Sequence, residues 1–244
     1  MAARANAISA RQDVSETLWP PAAVKEDGLP PLLILLTIVT GVVDALAYLR
    51  LGHVFVANMT GNIVFLGFAA AGAGGLSVPG SLLALGFFLC GGIAAGRLAG
   101  RLGDERRHVL RLAVTVELIL ATTAVVIAAV VGQRLGTTSR YALIALLALA
   151  MGVQNATARR LAVADLTTTV LTLTLTGIAA DSWLGGATGA RTARRVIAVG
   201  AMLLGALVGA LLLLHVAPVA PLALAAALLA LIAVAARPIG TAVG

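Results

Sequence analysis

The chain is poor in most of what chemistry needs. It has one cysteine, three histidines and a single lysine, and only 11% of its 244 residues are charged. The lone Cys90 excludes an intramolecular disulfide and any cysteine-based metal cluster. No Walker loop, GxSxG or HExxH stretch occurs, and His53, His108 and His215 stand far apart without ligand spacing. A nucleotide-driven pump is therefore disfavoured. An intramembrane enzyme lacks its constellation of acids, histidines or nucleophiles. The expectation is a non-enzyme with no cofactor and no metal. Two further patterns are missing. The alternating ten-residue segments of an outer-membrane barrel are absent. Residues 1–29 hold no apolar core, so they are not a cleaved signal peptide.

What is abundant is oil. Hydrophobic residues make up 60% of the chain and the mean hydropathy is +1.05. No soluble globular domain has that balance. The apolar residues come in runs of about 18–22, the length that spans a bilayer as a helix. The fold class is thus an all-α polytopic membrane protein, with the lipid bilayer as its first partner. The formal net charge is +7. The arginines sit in short connections between apolar runs, so they report topology and not nucleic-acid binding. Sixteen arginines against one lysine, with abundant alanine, resemble the coding habit of a GC-rich bacterium. That points to a multi-pass protein of the bacterial cytoplasmic (inner) membrane. Residues 1–29 read as a mobile cytoplasmic tail, 30–236 as the membrane domain and 237–244 as a short cytoplasmic C-terminal tail.

Eight apolar segments can be drawn, at about 31–49, 54–73, 80–100, 111–132, 140–158, 162–180, 194–216 and 218–236. The charges argue against eight spans. Arg97, Arg101, Arg106, Arg107 and Arg111 surround one connection, and Arg191, Arg194 and Arg195 another. The positive-inside rule puts both in the cytoplasm, so an even number of crossings lies between them. The segment at 162–180, with Asp165 and six threonines, is the poorest lipid-facing surface and the natural one not to span. Its counterpart is 54–73. The prediction is about six transmembrane helices plus two re-entrant or broken ones, with both termini inside. The cost is an exterior placement for Arg50, His53, Arg134 and Arg140. Three spans plus one re-entrant element per repeat make two inverted repeats, about 30–132 and 140–236, a common plan of secondary transporters and some channels.

The polar residues fall in two clusters inside these repeats. TGVVDALAYLRLGHVFVANMTGNIVFLG (40–67) carries Asp44, Asn58, Thr60 and Asn62. MGVQNATARRLAVADLTTTVLTLTLTG (151–177), its weaker copy, carries Gln154, Asn155, Thr168 and Thr172. An aspartate at mid-membrane costs roughly 2.5–3.5 kcal/mol on insertion scales. Eight such groups are cheapest gathered in one shared centre, which makes them candidates for substrate binding or a pathway. Asp44 would be its proton or cation ligand, or else a structural partner for Arg50. Ala57–Asn62 is a point for a helix to unwind, given the tolerance of glycine and asparagine for positive φ. The alternative is a polar contact between Asn58, Asn62 and a neighbouring helix. Thr168, Thr172 and Thr176 share one helical face, either lining a passage or back-bonded to their own helix. Glu117 reads as paired with an arginine near a helix end. The ladders Gly92/Gly96/Gly100 and Gly205/Gly209 read as close helix packing, with a homodimer contact as the alternative.

These segments resemble the YoaK family of bacterial inner-membrane proteins of uncharacterised function. The carrying residues are Thr40-Gly41 with Asp44 and Tyr48, Val54 through Asn62, Gly152 through Ala156, and Thr168 through Thr172. The resemblance covers about 30–236 and implies a multi-span membrane protein without implying a substrate. The functional expectation is a secondary transporter or channel for a small solute. The alternative is a non-transporting membrane scaffold or assembly partner.

Overall fold

The computed structural model describes residues 28–102, 105–163, 171–180 and 192–237. The 1–29 tail except its last two residues, the 238–244 end, Asp165 and Thr168 lie outside the described residues. Among those described, the chain is all helical. The helices are α1 (Leu29–Arg50), α2 (Met59–Ala70), α3 (Val78–Leu102), α4 (Arg106–Val131), α5 (Thr137–Leu161), α6 (Leu171–Ala180), α7 (Thr192–His215) and α8 (Ala220–Ala235). Five of them, α1, α3, α4, α5 and α7, are long and apolar enough to cross a membrane. The protein is an integral, multi-pass membrane protein.

Local sequence sets the helix ends. Pro30 and Pro221 sit in the first turns of α1 and α8, where a missing N–H costs nothing. Gly28, at φ 64°, caps α1 in a left-handed conformation. Asn58 caps α2, its side chain accepting from the Gly61 N–H.

The ends also show which way each helix runs. Call the side where α1 starts proximal and the side where it ends distal. At the proximal side the Arg107 guanidinium lies against Gly28 and donates to the Arg237 carbonyl after α8. Arg106 there donates to the Leu161 carbonyl at the end of α5. At the distal side Arg50 donates to the carbonyls of Gly132 and Gln133 after α4, at 2.8 and 3.2 Å. Gly52 lies near Ser77 before α3 and Arg140 at the start of α5. The end of α7 meets Leu49 and Arg50 around a shared hollow. Six helices therefore run from side to side, alternating in direction. The sixth, α8, has only 16 residues, about 24 Å at 1.5 Å per residue.

The two short helices behave differently. The chain leaves α1 at the distal side and starts α3 there, so α2 returns to the side it came from. It ends α5 at the proximal side and starts α7 there, so the stretch holding α6 does the same. Arg195, in the first turn of α7, donates to the Gly177 carbonyl of α6 at 2.7 Å. These are the segments expected not to span.

Packing centres on α1 and α5. Of their most apolar stretches 72% and 61% is buried, against 28% for α3, 28% for α4 and 22% for α7. The main partners of α1 are α7 and α8, and those of α5 are α3 and α4. Glycines set the closest approaches. Gly41 faces the backbone of Met202 and Ala206, Gly205 faces the Ile38 carbonyl, and Gly209 faces Val42. Contact pairs 38–205 and 42–209 advance together, so α1 and α7 are parallel. Gly152 meets the Phe88 carbonyl, and Gly91 meets the Leu149 carbonyl. This corrects the expected ladder. Gly205 and Gly209 pack as read, but a Cβ at Gly96 or Gly100 would meet nothing within 4 Å among the described residues. The closest approach of α3 is at Gly91, one residue off the ladder, while Gly92 of the ladder lies beside Gly152.

Candidate functional site

The site begins with the break between α1 and α2. Residues 51–58 are not helical, and they fold back along α1 to reach Asp44. Asp44 is buried in α1, two turns from its end. Its Oδ1 accepts the N–H groups of Val56 and Ala57, each at 2.9 Å. A carboxylate that gathers two backbone amides is a strong clamp on an irregular segment. Its Oδ2 is buried with no hydrogen-bond partner. Pairing with Arg50 does not occur, because that guanidinium is spent on the carbonyls after α4.

Asn62 holds the same segment from the other side. Its Oδ1 accepts the Phe55 N–H at 2.9 Å and its Nδ2 donates to the Phe55 carbonyl at 2.7 Å. The side-chain amide acts as a stand-in for a neighbouring strand of backbone, and it satisfies both polar groups of a residue that no helix serves. The expected contact of Asn62 with a neighbouring helix is thereby replaced by one within its own segment. Asn58 is exposed and only caps α2, through a long 3.4 Å bond to Gly61. Thr60 is exposed. The unwinding lies just before the sequence that signalled it. Positive φ occurs at Gly52 (102°) and His53 (56°), whereas Asn58 has φ −91°. Gly61 is needed for space: a Cβ there would stand 2.7 Å from the Phe55 ring. That ring stacks on Tyr48 at 5.1 Å and on Phe65 at 5.7 Å, and His53 meets Tyr48 edge-on. This ring cluster fastens α2 to α1. Its spacing in sequence, 48, 53, 55 and 65, gave no periodic signal.

Of the second cluster, Gln154 alone among the described residues is shown bonded to α1, at Thr40 and Leu36. Gln154 is fully buried in α5, and its Nε2 donates to Thr40 Oγ1 at 2.7 Å and to the Leu36 carbonyl at 3.3 Å. Thr40 lies one turn before Asp44 on the same face of α1. Its hydroxyl donates to the Leu36 carbonyl at 3.0 Å. Asn155 is half-buried and donates to the Met151 carbonyl of its own helix. Thr172 is exposed, and the Thr176 hydroxyl back-bonds to the Thr172 carbonyl. The buried face of α6 carries Thr174, its one buried residue, just as Asn62 is the one buried residue of α2. Of the two readings of the threonine face, back-bonding is what Thr176 shows, and the buried face of α6 lies one helical sector away. Glu117 is fully buried in α4, and neither carboxylate oxygen has a hydrogen-bond partner. The expected arginine pair is not formed.

The family model described as a protein of unknown function, DUF1275, matches residues 32–235. The chain belongs to the DUF1275 family. The UPF0700 transmembrane protein YoaK of Bacillus subtilis (strain 168), similar to this DUF1275 chain, is 39% identical over 150 residues. That alignment covers 62% of the present chain and 65% of YoaK, just under two thirds of its length. The resemblance carried by residues 40–62 and 152–172 thus holds. No solved structure gives a significant match to this DUF1275 protein.

In this DUF1275 structure, no three His, Cys, Asp or Glu side chains converge on a metal-binding position among the described residues. The arrangement has polar groups at membrane depth, an unwound segment beside them and a helix whose N-terminus begins there.

Proposed function

We propose that the protein is a secondary transporter or channel for a small solute in the bacterial inner membrane. The observation that carries this reading is the break at 51–58. A non-helical segment within the membrane is tolerated where it is buried in protein or lines an aqueous cavity. Here it is anchored by Asp44 and Asn62, and it presents Asn58, Thr60 and the start of α2 on its exposed side. Broken helices that start near mid-membrane are a recurrent means of meeting polar solutes. The pairing of helices supports two inverted repeats. Matching α1–α4 with α5–α8 sends the α1–α7 contact onto α5–α3, the α1–α8 contact onto α5–α4, and the α2–α3 contact onto α6–α7. The sidedness follows from charge. Arg101, Arg106, Arg107, Arg159, Arg160, Arg194, Arg195 and Arg237 lie at the proximal side, which is the cytoplasmic one.

The scaffold reading has its own support. Asn62 and Asp44 spend their hydrogen bonds on holding the 51–58 segment of their own chain, and the hollow of about 310 Å³ at the distal side is lined by none of the seven candidate residues that lie among the described ones. Thr60→Cys in a Cys90→Ala background separates the two. A transporter or channel exposes residue 60 to a membrane-impermeant thiol reagent from one side of the membrane. Complete protection from both sides, with labelling restored in detergent, returns the weight to the scaffold.

A further inference from the structure

The polar interior has an imbalance that says which chemistry it accepts. Among the described residues, four buried side-chain oxygens in the spanning helices lack a hydrogen-bond partner: Asp44 Oδ2, Gln154 Oε1, and Oε1 and Oε2 of Glu117. The other unpartnered buried side-chain atoms, Arg140 Nε and Thr192 Oγ1, sit at the first turns of α5 and α7, away from this interior. Buried acceptors are nearly always matched by donors. This interior is therefore short of donors.

The orientation of Gln154 is fixed by its neighbours. The Leu36 carbonyl can only accept, so the group 3.3 Å from it is the amide nitrogen. Thr40 spends its hydroxyl proton on the same carbonyl, so toward Gln154 it also accepts. The oxygen of Gln154 is thus the end left over. Asp44 lies one turn along the same face of α1, with its second oxygen left over too. Three amides leading into α2 are turned to the Asp44 carboxylate, that of Asn58 among them. The Val56 and Ala57 amides leading into it are already bound to Asp44, and the Gly61 amide is bound to Asn58.

We infer that the Asp44–Gln154 centre binds a monovalent cation or ammonium-type group, and not an anion. Two unpaired oxygens, one of them a carboxylate, complement a positive charge or a donor-rich head. The absence of a third convergent acid, histidine or cysteine among the described residues disfavours a dedicated divalent-metal site. The inference deepens the transporter reading by naming the class of its coupling ion or solute head, and it rests on that reading for its purpose.

The test measures binding apart from transport. The purified full chain in detergent is heated in sodium, potassium, ammonium or choline chloride at constant ionic strength, then in sodium salts of different anions. Binding at tenfold the dissociation constant raises the midpoint by about 3 °C. The expected result is a rise with one small cation over choline, indifference to the anion, and loss of the rise in Asp44→Asn and in Gln154→Met. Asp44→Asn keeps an acceptor for the two amides, and Gln154→Met keeps the volume, so a folded variant is available in at least one of them. A midpoint equal in all cations, one that follows the anion, or a rise retained in both variants overturns the inference. Cation binding without solute flux in liposomes would remove the transporter reading and leave the site standing.

Discussion

At the residue scale, the decisive fact is that similar polar side chains in one motif do unequal work. Asn62 satisfies both backbone groups of Phe55, while Asn58 makes one long capping bond. Asn62→Ala should cost about 1–3 kcal/mol for the groups it orphans, and Asn58→Ala under about 1 kcal/mol. Thermal midpoints of the purified variants decide this, and equal losses would contradict the geometry. Sequence made the motif visible because amides are expensive in hydrocarbon. It could not rank them, because the rank depends on which one faces a segment that folds back. The same limit applies in α6. Thr172 and Thr174 are equally polar on paper, and only the folded structure shows that Thr174 is the one buried.

At the element scale, six side-to-side helices and two returning ones are legible in the sequence. The reason is physical: arginine is hard to translocate, so clusters in two connections fix parity between them. Contacts between helices were less legible, because any glycine in an apolar helix reads as a close-packing residue. Only the partner's position tells Gly91 from Gly96. Gly152→Ala and Gly205→Ala would each drive a methyl into a neighbouring helix's carbonyl. Overpacking of that kind costs about 1–3 kcal/mol or more, since backbone cannot rotate away. Gly96→Ala and Gly100→Ala should be neutral or slightly stabilising through helix propensity. Thermal midpoints and elution profiles of the four variants in detergent check the contrast, and indistinguishable variants would refute the assigned contacts.

At the scale of the whole molecule, the sidedness is open to direct measurement. Reporters fused after Val78 should read the outside, and those fused after position 104 or 186 the cytoplasmic side. Opposite readings at 104 and 186 would break the parity on which the inverted arrangement stands. Arg50, expected outside, has its guanidinium held by the carbonyls of Gly132 and Gln133 after α4. The exchange of partners between halves bears on synthesis. Helix α1 leaves the ribosome first, yet the helices it packs against, α7 and α8, are made last. Through most of translation it must wait in lipid with Gly41 and Thr40 unserved by the second half. The first half alone cannot bury its own central helix, so the nascent chain stays open to membrane chaperones and proteases until its final helix arrives.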